Sequence, residues 1–145
     1  MAYSWMCRQM VLRLPPAPKG CVLPVWAWYQ ARDAARPRPD LRTSGHLPRG
    51  TKAVLLTLAL PEDQVLLSDF DLWHAILNNH AIPDAATERR DKAGGLDREA
   101  SWNRIFDLDF AAPGIAEPRA GKIIQATFWE LPFAAISQIT AFTAR

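Results

Sequence analysis

Apolar residues near the start of the chain recur at helical spacing: Met6, Met10, Leu12 and Leu14 stand among Arg8, Gln9 and Arg13, and Pro15-Pro16 then stops the pattern. This predicts an amphipathic helix over 3–14. Residues 22–29 change character, being aromatic and β-branched after Lys19-Gly20, and predict a strand with Pro24 near its start or on an edge. The period of two puts Trp26 and Trp28 on one face of it. The uncharged run that follows Lys52, bounded by Gly50 and Pro61, reads as a buried strand over 52–60, with a short one at 64–67.

Ser68-Asp69-Phe70-Asp71 has the form of a capping box, Ser68 as cap and Asp71 at the third helical position, ahead of Leu72, Trp73, Ile76 and Leu77. A helix is expected over 69–79. Asp84–Asp97 is strongly charged, contains Gly94-Gly95 and reads as an exposed excursion. A further amphipathic helix over 98–107 carries Trp102, Ile105 and Phe106 inward. Residues 122–131 read as a central strand and 137–142 as a closing one. Three helices and five strands in this order predict an α+β fold: a small twisted mixed or antiparallel sheet packed with the helices.

Between the first two strands, Ala31 to Gly50 carries Pro37, Pro39, Pro48, Gly45 and Gly50, a density of breakers that predicts a long Arg/Pro-rich loop. Loops of this length inside a compact domain commonly carry function. Arg32, Arg36, Arg38, Arg42, Arg49 and His46 outnumber Asp33 and Asp40, and guanidinium forks suit phosphate. Arg38, Arg42 and His46 are therefore candidate ligand contacts, with Trp28 and Tyr29 alongside to stack a base or nicotinamide ring. Arginine-rich loops are also often merely solvated, and most of six tryptophans in so short a chain are expected to fill core.

Asp69, Asp71 and His74 form a second candidate group, because Asp71 and His74, three apart on a helix, share a face suited to proton transfer or metal binding. First-turn carboxylates also serve as caps and dipole partners. Asp71 and His74 are taken as candidate catalytic residues and Asp69 as a ligand contact. No metal is assigned, and the sequence identifies no cofactor.

Overall composition narrows the class. The 145 residues are 49% hydrophobic and 22% charged, values of an ordinary globular protein, and a single domain over 1–145 is expected. No apolar run is long enough to span a membrane, and the start lacks the pattern of a secretory signal, so a cytoplasmic protein is expected. Cys7 and Cys21 are the only cysteines, without metal-site spacing, and are expected to remain thiols. A net charge of +2 argues against nucleic acid as the partner, and no protein partner can be named. A phosphorylated small molecule or nucleotide fits better, with catalysis left open; an interaction module without catalysis is the alternative.

The strings PVWAWYQ (24–30), PDLR (39–42) with GHLPRG (45–50), QVLLSDFDLWHAILNN (64–79), SWNRIFDLDF (101–110) and IIQATFWEL (123–131) together resemble a bacterial family, domain of unknown function 3841. The resemblance implies no activity. It implies that family members extend further at the N-terminus, with a strand and helix before the segment matching Ala2-Tyr3-Ser4-Trp5, so that this copy lacks that piece. The strand ending in Trp129-Glu130, followed by a proline-led bend and a last strand, also resembles the closing strands of ADP-ribosyltransferase-like domains. That likeness would make Glu130 a catalytic glutamate acting on NAD, with the arginine loop on the pyrophosphate. The pattern such enzymes use in their first strand is missing here.

Overall fold

The computed structural model describes residues 1–40, 47–84, 86, 97–113 and 118–145. Helix α1 spans Ala2–Arg13 and buries Ala2, Trp5, Met6, Gln9 and Met10, the i, i+3, i+4, i+7 stripe of an amphipathic helix. The stripe differs from the expected one, since Leu12 is 74% exposed and the fully buried Trp5 takes its place. Strand β1 is Val25–Gln30 and starts just after Pro24, which has no amide to give a ladder. Strand β2 is Lys52–Leu58, a 3-10 turn covers Glu62–Gln64, and β3 is Leu66–Asp69. Helix α2, Phe70–Leu77, follows β3 with no intervening loop. A short helix α3, Arg98–Ser101, passes into a 3-10 turn at Trp102–Phe106, so the expected helix over 98–107 is real but tightens halfway. Strand β4 is Ile124–Phe128 and β5 is Ile136–Thr143.

The class is α+β, but the strands form two antiparallel sheets where one was expected: β1-β4-β3 and β2-β5. All five residues of β4 are buried, as befits a strand paired on both sides. It is shorter than the expected 122–131 because its partners run out, Val25 lying opposite Phe128 and Asp69 opposite Ile124. β2 is not the buried strand its composition suggested. Lys52 and Val54 are exposed and its other five residues only half-buried, and among the described residues it pairs only with β5.

The core lies between one face of the three-stranded sheet and the helices. Trp5, Met6, Met10, Leu66, Leu72, Trp73, Ile76, Ile82, Trp102 and Ile105 form one cluster there. Trp5 packs edge-on to Trp102 at 5.5 Å and stacks on Phe106 at 5.7 Å, which ties α1 to the α3 segment. No helix among the described residues is long and apolar enough to cross a membrane.

Candidate functional site

One end of the three-stranded sheet gathers most of the chemistry. Gln30, Ile124 and Asp69 lie in one row across β1, β4 and β3. Asp69 closes β3 and caps α2: its Oδ1 accepts from the amides of Asp71 at 3.0 Å and Leu72 at 3.1 Å. The cap is thus Asp69 rather than Ser68. Ser68 is a fully buried strand residue whose hydroxyl accepts from Gln125 Nε2 at 3.1 Å.

The second Asp69 oxygen accepts from Lys122 Nζ at 3.0 Å, both side chains being 4% exposed. Lys122 also donates to the Phe110 carbonyl at 2.7 Å, while Gln30 Nε2 donates to the Lys122 carbonyl at 2.7 Å. Two charges removed from water are tolerable only when paired and further hydrogen-bonded, and this pair meets both conditions. Nothing in the sequence pattern distinguished Lys122 from a solvated strand end.

The arginine-bearing segment begins at the same end. Ala31 N donates to the Pro37 carbonyl and Ala34 N to that of Ala120, each at 2.7 Å, so residues 31–37 fold back against the turn before β4. Arg36 pairs with Asp33 through both its Nε and its Nη2. That partner holds the Asp33 carboxyl below its ordinary range and raises the Arg36 guanidinium. Arg36 is therefore engaged locally, and Arg38 is exposed nearby. Arg42 and His46 lie outside the described residues, as does most of the Asp84–Asp97 excursion.

Next to this end, on the helix-covered face of the sheet, lies a cleft of about 380 Å³ lined by Tyr3, Trp26, Ala27, Trp28, Phe70, Trp73, Leu77 and Gln125. Trp26 and Trp28 do share a face, opposite Thr127 and Gln125 of β4. Helix α1 contributes Tyr3, whose ring meets Trp26 at 6.1 Å and Trp73 at 5.9 Å, while Trp26 lies 5.1 Å from Trp73. Helix α2 contributes Phe70, edge-on to Trp28 at 4.8 Å. His74 stands at the rim, its ring 4.6 Å from Phe70 and its Nδ1 3.0 Å from the Phe70 carbonyl. None of the eight lining residues is charged. Tyr3, Phe70 and Trp73 escaped the sequence reading as site residues because each looks like an ordinary apolar helix position.

The remaining candidates are dispersed. Tyr29 alternates to the other face and lines a second cavity of about 440 Å³ with Leu58, Leu67, Arg119 and Phe128, Ala27 and Trp28 lining both this cavity and the cleft. Asp71 is exposed in the first turn of α2. Glu130 lies beyond β4, not on it, in a groove of about 210 Å³ walled by Leu14, Pro15, Pro16, Leu60 and Trp129. The four steps of β4 from Ile124 to Phe128 span about 13 Å at the usual rise per residue, so Glu130 and the start of α2 lie at opposite ends of the sheet. The structure does not bring Glu130 to His74 and Asp71. No group of metal-ligating side chains occurs among the described residues.

A protein-family model described as Domain of unknown function (DUF3841) matches residues 1–94. No curated protein and no solved structure matches the chain.

Proposed function

The chain belongs to that family, whose description assigns no activity, and we propose that it is a binding domain for a nucleotide-like ligand: a flat ring system carrying phosphate. The observation that carries this reading is the aromatic cleft. Its volume falls in the range of small-molecule sites, and its makeup matches theirs, apolar and aromatic walls with few polar groups. A heteroaromatic ring slots between Trp28 and Tyr3 and meets Gln125 on the floor and His74 at the rim. The arginine segment leaves β1 two residues after Trp28, and Arg38 on it supplies a fork-shaped donor for phosphate. Asp69 shapes this end by fixing the start of α2. The reading is one of binding; with Glu130 across the sheet, no step of NAD chemistry is assigned to it.

Isothermal titration with AMP, adenosine and inorganic phosphate tests the reading. AMP is expected to bind, adenosine to bind more weakly and phosphate weakest. Removing one stacking partner typically costs about 1–3 kcal/mol, so Trp28→Ala should weaken AMP by roughly 5- to 150-fold. Arg38→Ala should bring AMP down towards adenosine, and Glu130→Gln should change nothing. Absence of AMP binding, or unchanged affinity in Trp28→Ala, refutes the proposal.

A further inference from the structure

The second cavity takes no part in the nucleotide site. Its floor is the row Ala27, Ala126 and Leu67 with Phe128 beside it, on the face of the three-stranded sheet away from the helices, and its volume of about 440 Å³ suits a small molecule. Leu58–Leu60, at the end of β2, and Val65 line it from above the sheet. Apart from two charged residues, the only polar side-chain groups in the lining are the Tyr29 hydroxyl and the Trp28 indole.

Those two charges, Arg119 and Glu62, are opposite in sign and stand at opposite ends. Arg119 is carried by the turn before β4, where its carbonyl accepts from Gln30 Nε2 at 3.1 Å and from the Lys122 amide at 3.3 Å; Gln30 in turn lies opposite Ile124. Glu62 opens the 3-10 turn Glu62–Gln64 and its carbonyl accepts from the Val65 amide at 3.3 Å. Leu66 pairs with Thr127, so Val65 comes level with Phe128. Ile124 and Phe128 are four strand steps apart, about 13 Å, and each charge is thus mounted on a hydrogen-bonded turn at its own end of the cavity. Both residues are exposed, and among the described residues neither side chain has a hydrogen bond or an ion pair, with the other or with any third group.

The geometry points to a linear aliphatic ω-amino acid as the ligand of this cavity, its carboxylate on Arg119, its methylenes along the apolar floor and its ammonium on Glu62. A fatty acid would engage Arg119 alone and an aliphatic amine Glu62 alone; only a molecule charged oppositely at its two ends meets both. The apolar middle, in turn, selects methylenes over a peptide chain, whose amides would find few partners there. The C-terminal lysine of a polypeptide offers the same chemistry, an α-carboxylate and an ε-ammonium separated by methylenes.

Nitrogen–proton NMR titration with ω-aminohexanoate tests the inference, with hexanoate and hexylamine as the ligands that lack one charge. The zwitterion is expected to shift the amides of Tyr29 and Ala59 and to bind about tenfold tighter than either analogue, the usual scale of one charge-assisted contact. Arg119→Gln should bring it down to the level of hexylamine without weakening hexylamine itself, and Glu62→Gln should bring it down to the level of hexanoate without weakening hexanoate. Both positions are exposed, so the variants are expected to keep the wild-type spectrum elsewhere. Arg38→Ala should leave this binding unchanged while it weakens AMP, which separates the two sites. Shorter ω-aminobutanoate should bind more weakly, because it cannot span the charges. Acetyl-Ala-Gly-Lys binding at least as tightly as ω-aminohexanoate identifies a polypeptide terminus as the source, and its failure to bind identifies a free small molecule. No binding of the zwitterion, equal binding of all three ligands, or unchanged affinity in either glutamine variant overturns the inference.

Discussion

Replacing Lys122 by Met is expected to destabilise the protein by about 3–5 kcal/mol, the usual cost of leaving one member of a buried ion pair without the other. The magnitude follows from the surroundings. Asp69 and Lys122 are each 4% exposed, so solvent cannot screen the orphaned carboxylate, whose remaining donors are the two backbone amides it caps. The Phe110 carbonyl loses its donor as well. For a chain of this size each kcal/mol moves the melting temperature by roughly 3–5 °C, so a drop of about 9–25 °C is expected. Asp69→Asn keeps an oxygen for the cap, asparagine being as good a capping residue as aspartate. The double variant Asp69→Asn with Lys122→Met removes both charges and should be less damaged than the sum of the single variants by about 2 kcal/mol. Urea denaturation followed by circular dichroism and tryptophan fluorescence measures all four proteins. A cost below about 1 kcal/mol for Lys122→Met, or additivity across the cycle within about 0.5 kcal/mol, would refute the claim that this pair holds the end of the sheet.

The buried amide of Ile82 donates to Ser101 Oγ at 2.9 Å, so Ser101→Ala should cost about 1–3 kcal/mol by denaturation, and a neutral result would mean the amide finds another acceptor. The Asp33–Arg36 link should be complete above the ordinary carboxylate range and be lost as pH falls below it, since the native carboxyl titrates lower than the unfolded one. Carbon-detected titration of Asp33 should show that lowered value and a rise towards the ordinary range in Arg36→Ala, short of it because the backbone amides of residues 35 and 36 still donate to the carboxyl; identical curves in the two proteins would contradict the pairing.

Much of the fold was legible because local pattern sets element type. The proline pair ended α1, the aromatic alternation marked β1 with Trp26 and Trp28 on one face, and the Asp-Phe-Asp run marked the start of α2. What failed depended on partners far along the chain. Ser68 and Asp69 are both good caps, and the choice between them was made by pairing of Asp69 with Ile124, which carries Ser68 into the strand. The composition of β2 suits a buried strand, yet its ladder partner is β5, placed at the edge of the fold, and no local signal distinguishes the two situations. Glu130 appeared to be a strand residue because the apolar run reaches it, whereas the ladder ends at Phe128 with the start of β1. The candidate site was half legible: Trp28 and His74 were found, while Tyr3, Phe70 and Trp73 joined them only through packing of α1 and α2 over the sheet. The Asp33–Arg36 pair shows a further limit, since counting arginines in the loop could not reveal that one is engaged within it.

The most direct test of the binding claim is a nitrogen–proton correlation spectrum of the six indole N–H groups during addition of AMP. Trp26, Trp28 and Trp73 line the cleft, whereas Trp5 is packed against Trp102 and the Trp102 indole donates to the His80 carbonyl at 2.7 Å. The account predicts that the signals of Trp26, Trp28 and Trp73 move together and saturate while those of Trp5, Trp102 and Trp129 stay in place. Uniform shifts of all six, or movement of Trp129 alone, would contradict it.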